Sequence, residues 1–157
     1  MRKRIIAPVQ HETVSADQDW LNVEALAEVE ITSEDPAHPI ESALLPSGAS
    51  GWRAAGPGTQ TIRLLFTYPQ RLRRIWLSFV EARTERTQEY VLRWSADGGQ
   101  SFREIVRQSW NFSPQGAAYE TEDHHVELPA VTVLELCIIP DISGGTAFAS
   151  LAQLRLA

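Results

Sequence analysis

The stretch from Gln88 to Phe102 reads QEYVLRWSADGGQSF and decides the fold class. Bulky apolar side chains at Tyr90, Leu92 and Trp94 recur at every second position, which is the period of a strand with one buried face. The following Asp97-Gly98 favours a tight hairpin, because glycine adopts positive φ without steric cost. The pattern predicts two antiparallel strands, Gln88–Ser95 and Phe102–Gln108.

On both sides of this hairpin, short alternating or apolar runs are separated by proline- and glycine-rich breakers. Residues 17–28 also suit a helix, since alanine, leucine and glutamate are good helix formers, but the Val29 and Ile31 end favours a strand. The run Val131–Ile139 is almost wholly apolar, as in a strand buried on both faces. Seven or eight short strands predict an all-β protein with a β-sandwich fold. The further predicted strands are Thr61–Tyr68, Leu72–Val80, Val126–Leu128, Val131–Pro140 and Ala149–Leu156.

The composition is that of one ordinary globular domain. Of 157 residues, 43% are apolar and 22% are charged, and domains commonly have about 100–200 residues. No apolar run approaches the ~18 residues of a membrane-spanning helix, and the run after the basic start is too short for a signal peptide. The single cysteine, Cys137, indicates a reducing compartment. We therefore expect a cytoplasmic protein that has no membrane partner.

The net charge of the chain limits the classes of partner that it can bind. The chain has 20 acidic and 14 basic residues, which gives a net charge of −6. Nucleic-acid binding normally requires a basic face. We therefore expect no nucleic-acid partner.

Six segments, taken in their order along the chain, carry a resemblance to a known family. The segments are Glu30–Pro39, Gly51–Ala55, Gln60–Leu64, Tyr90–Phe102, Leu134–Ile139 and Ala149–Leu154. They resemble the galactose-binding-like, or discoidin (coagulation factor 5/8 type C), domains over about residues 25–157. The resemblance implies a jelly-roll β-sandwich of about eight antiparallel strands whose ligands, namely galactosides, lipids or proteins, bind in loops at one end.

The start of the chain has only weak periodicity. We therefore expect residues 1–24 to form an arm or edge strand packed on the sandwich over 25–157.

Two departures from the family pattern concern its disulfide and its calcium loop. The family usually has a cysteine near each end, whereas Cys137 is the only cysteine here. The loop before the family tryptophan often helps to hold calcium, but Leu45–Gly51 contains no carboxylate to balance the charge of the ion. We expect no bound metal and no cofactor.

Sequence motifs of catalysis are missing. The nucleophile elbow Gly-x-Ser-x-Gly has no counterpart, since Gly48-Ala49-Ser50-Gly51 has the wrong spacing. The Asp141–Gly145 segment lacks the Gly-Lys-Ser/Thr end of a phosphate loop. His124 and His125 are adjacent, and neighbours on a strand point to opposite faces, which keeps them from sharing one ion. We expect that the chain is not an enzyme.

The segment Trp110–Gly116 is the strongest candidate for a ligand site, because it places two large rings where proline and glycine predict a loop. An exposed ring beside an amide is suited to sugar recognition, although both rings could instead pack on the core. Further candidates come from loops that could converge at the same end. The predicted ligand-binding residues are Trp110, Asn111, Arg107, Phe112, His38 and Arg83.

The predicted function is that of a non-catalytic binding module for a carbohydrate. The alternative is a cytoplasmic protein–protein interaction or scaffold domain, which the missing export signal favours. A third possibility is a homo-oligomer that joins an arginine-rich edge at Arg71, Arg73 and Arg74 to the acidic arm. Exposed rings at Trp110 and Phe112 around a pocket would favour the sugar ligand, whereas packed rings would favour the scaffold.

Overall fold

A computed structural model describes residues 19–46 and 50–157. These residues form an all-β sandwich, as predicted, with eight strands and two one-turn helices. Neither helix in this part of the chain is long or apolar enough to cross a membrane. The helices are α1 (Val23–Leu26) and α2 (Glu41–Leu44), and the strands are β1 (Ala27–Ile31), β2 (Trp52–Pro57), β3 (Gln60–Val80), β4 (Arg86–Ser95), β5 (Arg103–Phe112), β6 (Tyr119–Ile139), β7 (Phe148–Leu151) and β8 (Gln153–Leu156).

The main sheet has the order β1-β3-β6-β4-β5, and β8 pairs with the second half of β3. The long strands β3 and β6 pair with each other antiparallel, with register shifts between Leu65 and Arg74. The sheet folds over at these shifts, so that Phe79 of β3 stacks on Tyr90 of β4 with ring centroids 5.3 Å apart.

The fold-over produces two layers. The front layer contains β1, the first half of β3, the second half of β6, β4 and β5. The back layer contains the second half of β3, the first half of β6 and β8. The pair β2-β7 lies beside the back layer, where the Ala152 N–H donates to the Ser78 carbonyl at 2.8 Å.

The core fills the space between the layers, because strand alternation sends every second side chain inward. Burial of this apolar surface is the main favourable contribution to folding. The largest side chains with almost no exposure are Trp52, Tyr90, Phe79, Phe112, Ile62, Leu64, Leu72, Ile75, Leu77, Leu92, Leu134 and Leu136.

The Asp97-Gly98 turn joins β4 to β5, as predicted. Gly98 and Gly99 both have positive φ, of 75° and 93°. The Asp97 carboxylate accepts hydrogen bonds from Ser101 and Ser95, which lower the pKa of Asp97 to about 2. The hairpin therefore has the turn chemistry that its sequence indicates.

Several strands are longer than predicted. Strand β5 continues past the predicted end at Gln108 to Phe112, and β6 joins the two strands predicted at 126–128 and 131–140. Strand β3 likewise joins the two strands predicted at 61–68 and 72–80, because shifts of register allow a strand to bend without leaving its ladder. The predicted last strand is divided at Ala152 into β7 and β8.

The N-terminal part of the chain is described from residue 19 onward. Most of the arm predicted over residues 1–24 lies outside the described residues, and its division from 25–157 stays a prediction. Within 19–31 the helical alternative is limited to α1, and Val29 and Ile31 lie in β1, as the sequence favours. The Leu21 N–H donates to the Leu156 carbonyl at 2.8 Å, which places the start of the described chain beside its C-terminal strand.

Candidate functional site

A depression of about 390 Å³ lies on the outer surface of the back layer. Strand β3 contributes its last outward residues, and the start of β6 and the β7–β8 junction lie on either side. The lining combines two aromatic residues, Trp52 and Tyr119, and aliphatic side chains with hydroxyls and one amide. Its polar side chains, counting the tyrosine, are Ser50, Ser78, Tyr119, Thr121, Ser150 and Gln153.

Strand alternation and register bring these side chains together. Leu77 and Phe79 of β3 point into the core, so the intervening Ser78 points outward. Ser78 pairs with Thr121 of β6 on one side and with Gln153 of β8 on the other. The result is a row of three neutral polar side chains across three strands of the back layer.

The polar side chains of the lining have no hydrogen-bond partner in the part of the chain that the structure describes. None of its serine, threonine and glutamine side chains forms a hydrogen bond with another described residue. Elsewhere, hydroxyls are engaged: Ser95 Oγ donates to Asp97 at 2.6 Å and accepts from the Gly99 N–H at 2.9 Å. The lining therefore offers donors and acceptors to a ligand or to water.

Tyr119 adds an exposed ring at the mouth of the depression. Its side chain is 55% exposed, and that of Val80, its partner across the β3–β6 ladder, is 38% exposed. Tyrosine presents an apolar ring face together with a polar hydroxyl. The ring can stack on the apolar face of a ligand whose edges bind the neighbouring hydroxyls.

Gly51 forms a close contact at the wall of the depression. It has a φ of +70°, and a Cβ built on it would lie 2.7 Å from the Leu151 carbonyl oxygen and 2.9 Å from the Ala152 Cα. Both neighbours are backbone atoms, which cannot move aside by a change of rotamer. Glycine is required here both for the backbone angle and for the close approach.

We expect Gly51→Ala to lower the free energy of unfolding by about 2 kcal/mol, because it combines positive φ with a backbone clash. Gly56→Ala is the matched control, since a Cβ there meets nothing within 4 Å, and its effect should stay below about 1 kcal/mol. Urea unfolding monitored by circular dichroism measures both. Equal effects of the two substitutions would show that the contact of Gly51 is unimportant.

Arg155 anchors the segment that leads to this wall. Its guanidinium is buried on β8 and donates to the Ala43 carbonyl at 2.8 Å and to the Leu45 carbonyl at 3.0 Å. Burial lowers the pKa of Arg155 from its usual value. The bonds satisfy carbonyls at the end of α2, which have no partner within the helix, and fix residues 43–45 beside β8.

The inner side of the same β6 segment is acidic. Glu120 is 1% exposed; its Oε1 accepts from Gln88 Nε2 at 3.3 Å, while its Oε2 has no partner among the described residues. Burial, and next the negative charge of Glu122, raise the pKa of Glu120 to about 8. Tyr119 and Thr121 thus belong to a strand whose inner side carries a protonated Glu120 carboxyl group at neutral pH.

His124 lies further along the inner side of β6. Burial lowers its pKa, and its Nε2 lies 2.7 Å from the Tyr90 hydroxyl.

A second depression, of about 280 Å³, lies between the β2–β3 turn and the β6–β7 connection, at one end of the sandwich. Its lining is largely glycine, proline and aliphatic, with Thr59 and Asp141 as its polar side chains. The Asp141 carboxylate already accepts from the Ser143 N–H and hydroxyl, at 3.1 and 2.7 Å. This end has no aromatic side chain in the lining and fewer unused polar groups than the depression at Tyr119.

The expected ring platform at Trp110 and Phe112 is wrong. Both residues lie in β5, where Trp110 pairs with Gln88 and Phe112 with Arg86. Phe112 is fully buried, with the Arg86 guanidinium 4.7 Å from its ring centroid, and Trp110 is half-buried against the core. The breakers after Phe112 form a turn that begins only at Ser113, which bonds to Ala117. The ring of Phe112 therefore cannot contact a ligand.

The other four predicted residues do not join Trp110 in one site. Asn111 and Arg107 lie on the outer face of β5, opposite to Trp110, because adjacent strand residues point to opposite faces. Asn111 Oδ1 accepts from the Thr87 hydroxyl at 2.6 Å, and Arg107 pairs with Glu104 at 3.0 Å and also with Glu89.

His38 and Arg83 lie in separate connections. His38 Nδ1 is 3.6 Å from the Asp35 carboxylate in the turn before α2. Arg83 is exposed between β3 and β4, and its backbone N–H donates to the Glu81 carboxylate at 3.2 Å. Ligand contact by Asn111, Arg107, His38 or Arg83 stays a prediction, and none of the four lines the depression at Tyr119.

His124 and His125 point to opposite faces of β6, as strand geometry requires. His124 contacts Tyr90 inside the sandwich, while His125 lies outside, 3.6 Å from the Asp123 carboxylate. Within residues 19–46 and 50–157, no three His, Cys, Asp or Glu side chains are close enough to hold a metal ion.

Sequence reasoning missed the depression at Tyr119. A weak local signal exists in Tyr119-Glu-Thr121-Glu, where neutral and acidic residues alternate at period two. That pattern predicts one neutral and one acidic face on a strand. No local pattern links this face to Ser50, Ser78 and Ser150, because they are brought together by pairings far apart in the sequence.

No protein-family model matches this sequence, and no curated protein matches it significantly. The fold, in contrast, is similar to solved carbohydrate-binding modules. A family 32 module of Clostridium perfringens NanJ, solved in complex with galactose, has a TM-score of 0.64 at 14% identity, covering 87% of this chain and 96% of that chain.

Two further structures from Clostridium perfringens have the same fold. The domain CpGH89CBM32-5, in complex with GalNAc-β-1,3-galactose, has a TM-score of 0.62 at 19% identity, covering 88% of this chain and 99% of that chain. The third family 32 module of a family 31 glycoside hydrolase has a TM-score of 0.63 at 17% identity, covering 87% of this chain and 93% of that chain. The chain thus has the galactose-binding-like jelly-roll fold that its sequence resemblance implied.

Proposed function

We propose that this protein is a non-catalytic carbohydrate-binding module that holds a saccharide in the depression at Tyr119. The observation that carries the proposal is the convergence there of an exposed ring and five polar side chains whose hydrogen-bonding groups have no partner among the described residues. The fold supports it, because structural neighbours are carbohydrate-binding modules solved with sugars.

The binding mode follows from the chemistry of the lining. The ring of Tyr119 stacks on the apolar face of a pyranose, a contact of about 0.5–1.5 kcal/mol beyond area burial. Hydroxyls of the sugar bind Ser78, Thr121 and Gln153, each neutral bond adding about 0.5–1.5 kcal/mol net. Loss of translational and rotational freedom offsets much of this sum, so we expect weak affinity, in the range of about 0.01–1 mM.

The proposed site differs in position from the end loops that the sequence resemblance implied. It lies on the outer face of the back layer, and its outer boundary is the first half of β6. Among residues 19–46 and 50–157, this half pairs with β3 and with no strand on its other side. A ligand can therefore approach across β6 and extend past Tyr119 into solvent.

We expect Tyr119→Ala to weaken saccharide binding at least about tenfold, which corresponds to the loss of one stacking contact. Screening of the wild type against a glycan array finds the ligand, and isothermal titration calorimetry then measures both proteins with it. Tyr119 is more than half exposed, so the substitution should leave the unfolding midpoint nearly unchanged.

Tyr68→Ala is the matched control for this test. Tyr68 is the other strongly exposed tyrosine of the described residues, at 73%, and it lies at the bend of β3, away from the depression. It should leave saccharide affinity unchanged. If the Tyr119 and Tyr68 variants bind a sugar with equal affinity, the sugar binds outside the depression at Tyr119. If the wild type binds no sugar at millimolar concentration, the proposed function is refuted.

A protein partner is the second candidate function, favoured by the packing of Trp110 and Phe112 and by the adjacent exposed side chains of Tyr119 and Val80. Exposed apolar groups that lie together are typical of interaction sites. The five unused polar side chains beside this pair favour the sugar over the protein, and the glycan screen separates the two.

A further inference from the structure

We infer that the ligand of the depression at Tyr119 is an uncharged saccharide, and that uronic acids and sulfated sugars are rejected there. This inference rests on the proposed function and adds the chemical class of the ligand. It matters because structural neighbours of this fold differ in the charge of their ligands: one was solved with galactose and another with an unsaturated mannuronic acid.

The lining supplies neutral hydrogen-bonding groups. Serine and threonine hydroxyls both donate and accept, and the Gln153 amide does so with two separate atoms. All side chains of the described residues that line the depression are neutral, and so are the three residues 47–49 that precede Ser50 in the sequence. Such a set matches the hydroxyl groups of an unsubstituted sugar, which need both donors and acceptors.

Three arginines on the strands around the depression have other partners. Arg53, which pairs with the lining residue Ser150, has its guanidinium 5.2 Å from the centroid of the Phe148 ring. Arg74, four residues before Ser78 on β3, donates two bonds of 2.8 Å to the Asp123 carboxylate and lies 5.0 Å from the centroid of the Trp20 ring. Arg155 is buried and bonded to the carbonyls of Ala43, Leu45 and Leu154. A carboxylate in the depression would therefore find no cation in its lining, whereas proteins bind carboxylates best with charge-assisted bonds.

The surrounding charge also disfavours an anion. Glu122 lies on the inner side of the strand that presents Tyr119 and Thr121, and the chain as a whole has a net charge of −6. A bound carboxylate would lose part of its hydration without gaining a counter-charge. We therefore expect each uncharged sugar that binds to bind at least about tenfold more tightly than its acidic counterpart.

Matched pairs of ligands test the inference by calorimetry. The pairs are galactose with galacturonate, mannose with mannuronate, and fully methyl-esterified homogalacturonan with the same polymer after de-esterification. Preference for the uncharged member of every pair that binds supports the inference. Equal or tighter binding of an acidic member, with affinity that falls as salt is added, overturns it and leaves the proposed function standing. If neither these ligands nor a glycan array shows binding, the proposed function itself fails.

A charge substitution provides a second test. Gln153→Arg places a guanidinium at the depression, and we expect it to increase affinity for the uronate members at least about tenfold in a salt-dependent manner. Gln100→Arg is the matched control, since Gln100 is exposed in the distant β4–β5 turn. It makes the same change in net charge and should leave uronate binding unchanged. The same gain in both variants, or a gain in neither, would contradict the assignment of ligand class to this lining.

Discussion

Replacing Trp52 with alanine is expected to lower the free energy of unfolding by about 4 kcal/mol. Trp52 is 1% exposed and is among the largest fully buried side chains of the described residues. It begins β2, where it pairs with Leu151 of β7, and its Nε1 donates to the Ser33 carbonyl at 3.0 Å. The substitution removes a large apolar surface and the bond that ties the loop after β1 to the sandwich.

Trp52→Phe keeps the prediction testable where Trp52→Ala fails to fold. Phenylalanine retains most of the ring burial but loses the bond to Ser33, so we expect a loss of about 1–2 kcal/mol. Urea unfolding followed by far-ultraviolet circular dichroism measures both variants without relying on tryptophan fluorescence. A loss below about 1 kcal/mol for Trp52→Ala would show that Trp52 does not hold β2 against the core.

Replacing Glu120 with glutamine is expected to stabilise the protein, and increasingly so as the pH rises. The pKa of Glu120 is raised to about 8 in the folded protein, from a usual value of 4.5, because the carboxyl group is buried and lies near Glu122. The folded state therefore retains a proton that the unfolded state releases. The contribution of Glu120 to stability is greatest below pH 4.5 and falls as the pH rises toward 8.

The expected size of this effect is large for one side chain. Glutamine is uncharged at every pH, so Glu120→Gln removes a slope of up to about 1.4 kcal/mol per pH unit. At pH 9 we expect the variant to be more stable than the wild type by about 3 kcal/mol, and at pH 4 the two should be nearly equal. Urea unfolding at steps of one pH unit from 4 to 9 measures the difference.

Two variants control this experiment. Glu122→Gln removes the neighbouring negative charge, so it should lower the pKa of Glu120 toward its usual value. The fall in stability should then be smaller than in the wild type and end at a lower pH, whereas Glu120→Gln abolishes it. Glu24→Gln changes an exposed acid on α1 and should leave the pH profile unchanged. A difference between wild type and Glu120→Gln that is constant with pH would show that Glu120 is ionised throughout, for example because water reaches it.

Much of the fold could be predicted from the sequence. Tyr90 and Leu92 alternate with outward residues, and Asp97-Gly98 has the turn chemistry that a hairpin demands. The family resemblance then implied a jelly roll, and the similar solved structures bear this out. The boundaries of β5 and β6 were less predictable, because Pro114 and Gly116 disrupt only their own neighbourhood, while pairing with β4 holds Trp110 and Phe112 in the strand.

The candidate site was much less predictable than the fold. Trp110 and Asn111 are adjacent in sequence and suggest one site, yet the strand directs them to opposite faces. Tyr119, Ser78 and Ser150 are far apart in sequence, and only the β3–β6 and β3–β8 pairings, with β7 alongside, bring them to one depression.

The sequence by itself determined that the chain is a β-sandwich with a tight hairpin at Asp97-Gly98. Period-two alternation and turn chemistry are local, and each acts within a few residues. Only the tertiary structure decided that β3 and β6 fold over together, that Phe112 is buried, and that the outer face at Tyr119 is a depression. Those outcomes depend on long-range pairing and on the summed packing of two layers, which no single segment of the sequence contains.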